Sequence, residues 1–146
     1  MNIGFLGLGK LGLPVSLAVE DKGHKIFGYD ISKQTIEDIK NKKIRYKEEW
    51  VDKYLPTTNL EITNINELVK NSEIIFVPIQ TPHDPKYEGV TRIPEKRIDF
   101  DYTYLKSGIK DLSEAIEKNG EDKVVIIIST VLPGTIRSQI KPLLGK

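Results

Sequence analysis

Cysteine is missing altogether from the 146 residues, which removes disulfides, thiolate metal sites and cysteine nucleophiles from consideration. Histidine occurs only as His24 and His83, too few to build a histidine metal cluster. Neither sign of charge dominates. The 22 Lys and Arg face 21 Asp and Glu, a formal net charge of +1, which argues against broad electrostatic binding to nucleic acid or an anionic membrane. No uncharged run is long and apolar enough to cross a bilayer. The first residues enter a strand-like segment directly, without the basic region, apolar stretch and cleavage site of a leader peptide. These absences point to a soluble, cytoplasmic globular protein, and the length suits one domain with a sizeable core.

What is present is a regular alternation of apolar runs and amphipathic segments. "NIGFLG" (2–7) reads as a buried strand entering a glycine turn, and Leu11, Val15, Ala18 and Val19 recur with the spacing of a helix stripe. Pro14 suits the first helical turn, which has no internal partner for an N–H, and Gly23 ends that helix. "HKIFGYD" (24–30) reads as the second strand. Ser32 is the expected cap of the next helix, with Ile31 and Ile36 as a hydrophobic staple around it. A short helix at 48–55 stops at Pro56, and "NLEIT" (59–63) is a weak third strand. Asn64 and Glu67 form a capping-box-like pair, and "SEIIFVPI" (72–79) is a buried strand whose pairing should end at Pro78. A long irregular stretch follows (80–101), with Pro82, Pro85, Gly89 and Pro94, of a length that is usually functional. Leu105, Ile109, Leu112 and Ile116 mark a helix closed by Asn119-Gly120. "KVVIIIST" (123–130) is the strongest strand, and "PGTIRSQIKPLLGK" starts a last helix. Strands separated by helices predict an α/β fold of Rossmann type, a doubly wound parallel sheet in three layers with strand order 3-2-1-4-5.

Within this pattern "GFLGLGKLGLP" (4–14) places Gly7, Gly9 and Gly12 as G-x-G-x-x-G in the first strand-to-helix turn. The first glycine permits the tight turn, the second lets backbone approach a pyrophosphate, and the third lets helix and strand pack closely. The helix N-terminus adds free N–H groups and the positive end of its dipole. Asp30 ends the next strand at the distance required of an acid that accepts the hydroxyls of an adenine ribose. Its charge would repel a 2′-phosphate, favouring NAD over NADP; Lys25 and Lys33 soften that preference without reversing it.

Three further stretches narrow the field: "GLGKLGLPVSLA", "IFVPIQTPHDPKYEG" followed by "DFDYTYL", and "IIISTVLPGT". Together they resemble the N-terminal NAD-binding domain of the UDP-glucose/GDP-mannose dehydrogenase family, over residues 2 to about 144. The resemblance implies one NAD-binding domain spanning 1–146. In it the backbone of Leu8, Lys10 and Leu11, with Gly7, Gly9 and Gly12, holds the pyrophosphate, and Asp30 takes the adenosine ribose. Gln80, Thr81 and Pro82 line the cofactor beyond the fourth strand. Ser129 and Thr130 reach the nicotinamide ribose, and Thr130 also helps place a catalytic water. Gln80 stands where members often have Pro or Asn. Thr35 stands where a basic side chain often contacts the cofactor, with Lys33 as the nearby replacement.

Members of the family oxidise the primary alcohol of a nucleotide sugar twice with NAD, giving a uronic acid for polysaccharide biosynthesis, and pass through a cysteine thiohemiacetal. That cysteine is absent here, as are the central helix and the nucleotide-sugar domain. The expectation is a chain that binds NAD without turnover, as a fragment, an expressed domain or half of a split enzyme. The family's nucleotide-sugar substrate would then be met through a domain outside these residues, in an enzyme expected to be a homo-oligomer. Two other readings stay open: the cofactor domain of a 6-phosphogluconate-type β-hydroxyacid dehydrogenase, and a free-standing NAD-binding or regulatory module. Among other residues, His83 is read as a loop residue near the cofactor rim and "NKKIRYK" (41–47) as a solvated face. Tyr102 and Tyr104 are read as packing at a helix start, and Trp50 as a packing residue with no second aromatic placed to form a platform.

Overall fold

The computed structural model describes residues 1–87 and 98–145; Gly89 and Pro94 of the expected long loop lie outside them. Five strands, β1 (Asn2–Leu6), β2 (Lys25–Tyr29), β3 (Glu61–Ile62), β4 (Ile74–Val77) and β5 (Val124–Ile127), form one sheet. All pairings are parallel and the order is β3-β2-β1-β4-β5, as the sequence predicts. Five helices connect and cover them: α1 (Gly12–Asp21), α2 (Lys33–Lys40), α3 (Glu49–Tyr54), α4 (Ile65–Asn71) and α5 (Thr103–Asn119).

Alternate residues of a strand face opposite sides, so the sheet divides the core in two. Phe5 and Phe76 stack at 5.1 Å on one side, with Leu13 and Leu17 of α1 and Val51 of α3. Ile75 and Val77 face the other side, against Leu68 and Val69 of α4 and Leu105, Ile109 and Leu112 of α5. Burying each of these large side chains is worth about 1.5–3 kcal/mol relative to leaving it in water. The helix starts follow the capping chemistry: Ser32 Oγ accepts from the Thr35 N–H at 3.2 Å, and Asn64 Oδ1 from the Glu67 N–H at 3.0 Å. Gly120, at φ +73°, closes α5.

Several expectations are corrected. The buried line of α1 is Gly12, Leu13, Ser16 and Leu17, while Leu11 is exposed. Gly12 packs so close to the Gly7 carbonyl and the Pro78 ring that a side chain there would collide with both, and of the expected stripe Val15 and Val19 remain partly buried against the core. Ile31 is 87% exposed and makes no staple with Ile36. The chain entering α2 is held instead by Asp30 Oδ1, which accepts the Ser32 N–H at 2.8 Å. Glu67 does not complete a capping box; its carboxylate takes the Asn71 amide at 3.3 Å. Trp50 does have an aromatic partner, Tyr54 at 5.0 Å, one helical turn away on α3. The expected last helix is a π-helical turn (Ile136–Ile140) running into a 3₁₀ turn (Lys141–Leu143). Pro142 in that segment lacks the N–H that a regular α-helix would use there.

The close approach at Gly12 supports a direct test. A side chain there would collide with backbone, which has little freedom to move. Gly12→Val is expected to destabilise the domain by about 1–3 kcal/mol or more. A urea midpoint equal to that of the parent chain would show that the turn relaxes freely.

Candidate functional site: the strand-end cradle

β1 ends at Leu6, and Gly7 turns the chain at φ +119°, a conformation that side chains other than glycine rarely adopt. The Gly7 N–H is taken by the Tyr29 carbonyl at 2.8 Å. The Leu8 N–H goes to Asp30 Oδ2 at 2.7 Å, and the Leu8 side chain is buried. Gly9, Lys10 and Leu11 then stand out into solvent before α1 begins. Among the described residues the N–H groups of Lys10, Leu11 and Gly12 have no partner, as expected in the first turn of a helix. The first turn of α1 carries no acidic side chain, so its positive dipole end is unopposed.

The three glycines are therefore distinct. A Cβ on Gly12 meets the protein itself, and one on Gly7 is barred by φ. A Cβ on Gly9 meets nothing within 4 Å. Among the described residues, nothing crowds a side chain at position 9.

Asp30 sits at the tip of β2, half-buried, its two oxygens accepting from Leu8 and Ser32. A carboxylate has about four lone-pair sites, so two remain open to further donors. The Leu8 N–H, expected at a pyrophosphate, is committed to Asp30. Leu8 fixes the acid, and the unpartnered N–H groups of Lys10, Leu11 and Gly12 lie beyond it. Lys33 is exposed in the first turn of α2.

A second wall follows β4 and β5. The Thr81 hydroxyl donates to the Thr130 carbonyl at 2.6 Å, so the turns that follow β4 and β5 are joined directly. The Ser129 hydroxyl points back into the sheet, donating to the Val77 carbonyl at 3.1 Å. The Pro82 carbonyl accepts from the Asp101 N–H at 2.8 Å, and hydrogen bonding from Thr103 holds the Asp101 carboxyl below its ordinary range. Thr130 is exposed, and its hydroxyl makes no hydrogen bond among the described residues. It does not cap the following turn, whose first residues lack a side-chain cap. Gln80, Pro82 and His83 are exposed. Sequence reasoning missed Pro78, buried behind Gly7 and Gly12, and the bonding role of Tyr102. The signal for Pro78 was its position directly after a buried strand facing the glycine turn.

A glycine turn with open space at its centre, an acid at the next strand tip and two threonine turns beyond are the parts of a dinucleotide site. Residues 1–146 match the profile described as UDP-glucose/GDP-mannose dehydrogenase family, NAD binding domain. This chain belongs to that family. It is 32% identical to "Protein CapL" of Staphylococcus aureus over 99% of its length. It is 30% identical to a UDP-N-acetyl-D-mannosamine dehydrogenase of Pyrococcus horikoshii over 92%. A crystal structure of a ternary complex of GDP-mannose dehydrogenase from Pseudomonas aeruginosa superposes with a TM-score of 0.81 at 26% identity, covering 98% of this chain and 31% of that one. The chain spans about 30% of the length of both curated relatives. The match is to the NAD binding domain of a dehydrogenase family, and among the described residues no helix is long and apolar enough to cross a membrane.

Proposed function

We propose that residues 1–146 act as one NAD-binding domain, holding NAD across the carboxyl ends of the strands. The pyrophosphate lies over Gly9, with the N–H groups of Lys10, Leu11 and Gly12 as donors. Asp30 accepts from the adenosine ribose, and Lys33 stands beside it. Gln80, Thr81 and Pro82 face the nicotinamide half from one turn, Ser129 and Thr130 from the other. The observation that carries this reading is the open space at Gly9 beside unpartnered helix N–H groups.

When bound, NAD supplies two-electron oxidising capacity; this chain's residues bind it, orient it and select it against NADP. In the whole enzyme the activity is the oxidation of a nucleotide sugar's primary alcohol to a uronate, a step toward polysaccharide. The sugar is met by a domain outside these residues, in a homo-oligomer, with the exposed Thr130 hydroxyl helping to place a catalytic water. UDP- and GDP-sugars both stand as substrate classes, matching the relatives' names.

Hydrogen exchange with and without NAD tests the placement. Protection is expected to rise at 7–12, near 30, at 80–83 and at 129–131. A response confined to the first two regions would mean that the domain grips only the adenosine half.

A further inference from the structure

Tyr102 is buried at the start of α5, and its phenolic oxygen is fully used. It donates to Asp99 Oδ1 at 2.6 Å and accepts from the Leu132 N–H at 3.1 Å and the Thr135 hydroxyl at 3.4 Å. A phenol has one donor and two lone pairs, so this is its complete capacity. Leu132 and Thr135 belong to the turn that leaves β5, immediately after Thr130. Asp99 and Asp101 precede Tyr102 in the segment entering α5, and the Asp101 N–H is bonded to the Pro82 carbonyl. Thr81, next to Pro82, is bonded to the Thr130 carbonyl. Three segments far apart in sequence (80–82, 99–102 and 130–135) thus close into one ring of hydrogen bonds, and Tyr102 is the member that reaches the far side of the β5 turn.

Packing alone does not account for this oxygen. The ring lies in the apolar cluster around Leu105 and Ile109, where phenylalanine would fit equally well. What the hydroxyl adds is orientation of the turn carrying Thr130.

We propose that Tyr102 is a positioning residue for the nicotinamide half of the cofactor, acting through the 130–135 turn and touching neither NAD nor substrate. The inference rests on the NAD reading given above. The adenosine half, served by Gly9, the α1 N-terminus and Asp30, stands apart from this ring. Its affinity is therefore independent of the Tyr102 hydroxyl.

ADP-ribose carries the adenosine and pyrophosphate contacts without the nicotinamide ring, so comparing it with NAD isolates the half in question. By calorimetry, the parent chain is expected to bind NAD more tightly than ADP-ribose. Tyr102→Phe should bind ADP-ribose within about twofold of the parent and lose about three- to tenfold for NAD, the range expected for one hydrogen-bond network. Asp99 is exposed and reads the same bond from its other end. Asp99→Ala should reproduce the NAD-selective loss even if Tyr102→Phe proves too unstable to titrate. Asp99→Asn, which keeps an accepting oxygen, should restore parent behaviour. Equal losses for both ligands, or unchanged NAD affinity in both Tyr102→Phe and Asp99→Ala, would overturn the positioning role. Equal affinity of the parent for NAD and ADP-ribose would instead remove the nicotinamide half from these turns, and the role of Tyr102 with it.

Discussion

Gly9→Val is expected to abolish NAD binding while leaving the sheet folded. The structure separates the two effects because a Cβ at position 9 meets no protein atom within 4 Å. Its isopropyl group would occupy the space where a pyrophosphate must approach the Lys10, Leu11 and Gly12 N–H groups. Those donors are directional and lie at the positive end of α1. Displacing the phosphates by even one methyl diameter loses charge-assisted bonds worth roughly 1.5–3 kcal/mol each, and two lost bonds amount to a hundredfold or more. Calorimetric titration beside a thermal melt checks both halves of the statement. Normal NAD affinity in the variant would remove the cradle assignment, whereas a collapsed melt would mean that position 9 serves the fold.

Asp30→Asn should lower NAD affinity by about tenfold to a hundredfold, the loss of charge-assisted bonds to a ribose diol. The same change relieves repulsion of a 2′-phosphate, so the ratio of NAD to NADP affinity falls further than NAD affinity alone suggests for a simple loss of contact. The structure limits the gain for NADP. The carboxylate already accepts from both Leu8 and Ser32, one N–H on each oxygen. An amide offers one accepting oxygen, so its NH₂ must face one of those N–H groups. Part of the loss therefore passes through a loosened glycine turn and falls on both cofactors. Titration of NAD and NADP against parent and variant separates the contributions, and unchanged NAD affinity would take Asp30 out of the site.

Sequence made the architecture legible where its signals were local. Buried strands appear as apolar runs, Ser32 and Asn64 cap their helices, and Gly120 closes α5 in the left-handed conformation. The glycine spacing and Asp30 were readable because their separation is set by one strand-helix-strand unit. Readings failed where a tertiary contact outweighed local preference. The α1 stripe ran through Leu11 in the sequence, but Leu11 is exposed and the fully buried line is Gly12, Leu13, Ser16 and Leu17, with Val15 and Val19 only partly buried against the core. Ile31 looked like half of a staple until Asp30 took over orienting the chain. Leu8 was expected to face phosphate, and only the fold reveals that its N–H is spent on an acid 22 residues away. Tyr102 shows the same limit, since its three partners are dispersed from 99 to 135.

Pro78 behind the glycine turn has a kinetic consequence. The motif is contiguous in sequence, yet its rear surface is supplied by the residue that follows β4, and β1 gains its second neighbour only when Ile3 aligns with Ile74. Closing so long a loop spends chain entropy before any contact rewards it. During synthesis, residues 1–30 can leave the ribosome as a parallel strand-helix-strand unit while the N–H groups of Lys10, Leu11 and Gly12 still lack a rigid backing. Competence to grip a dinucleotide therefore arrives late, with the docking of β4, and a nascent chain short of that strand has the fingerprint without the grip.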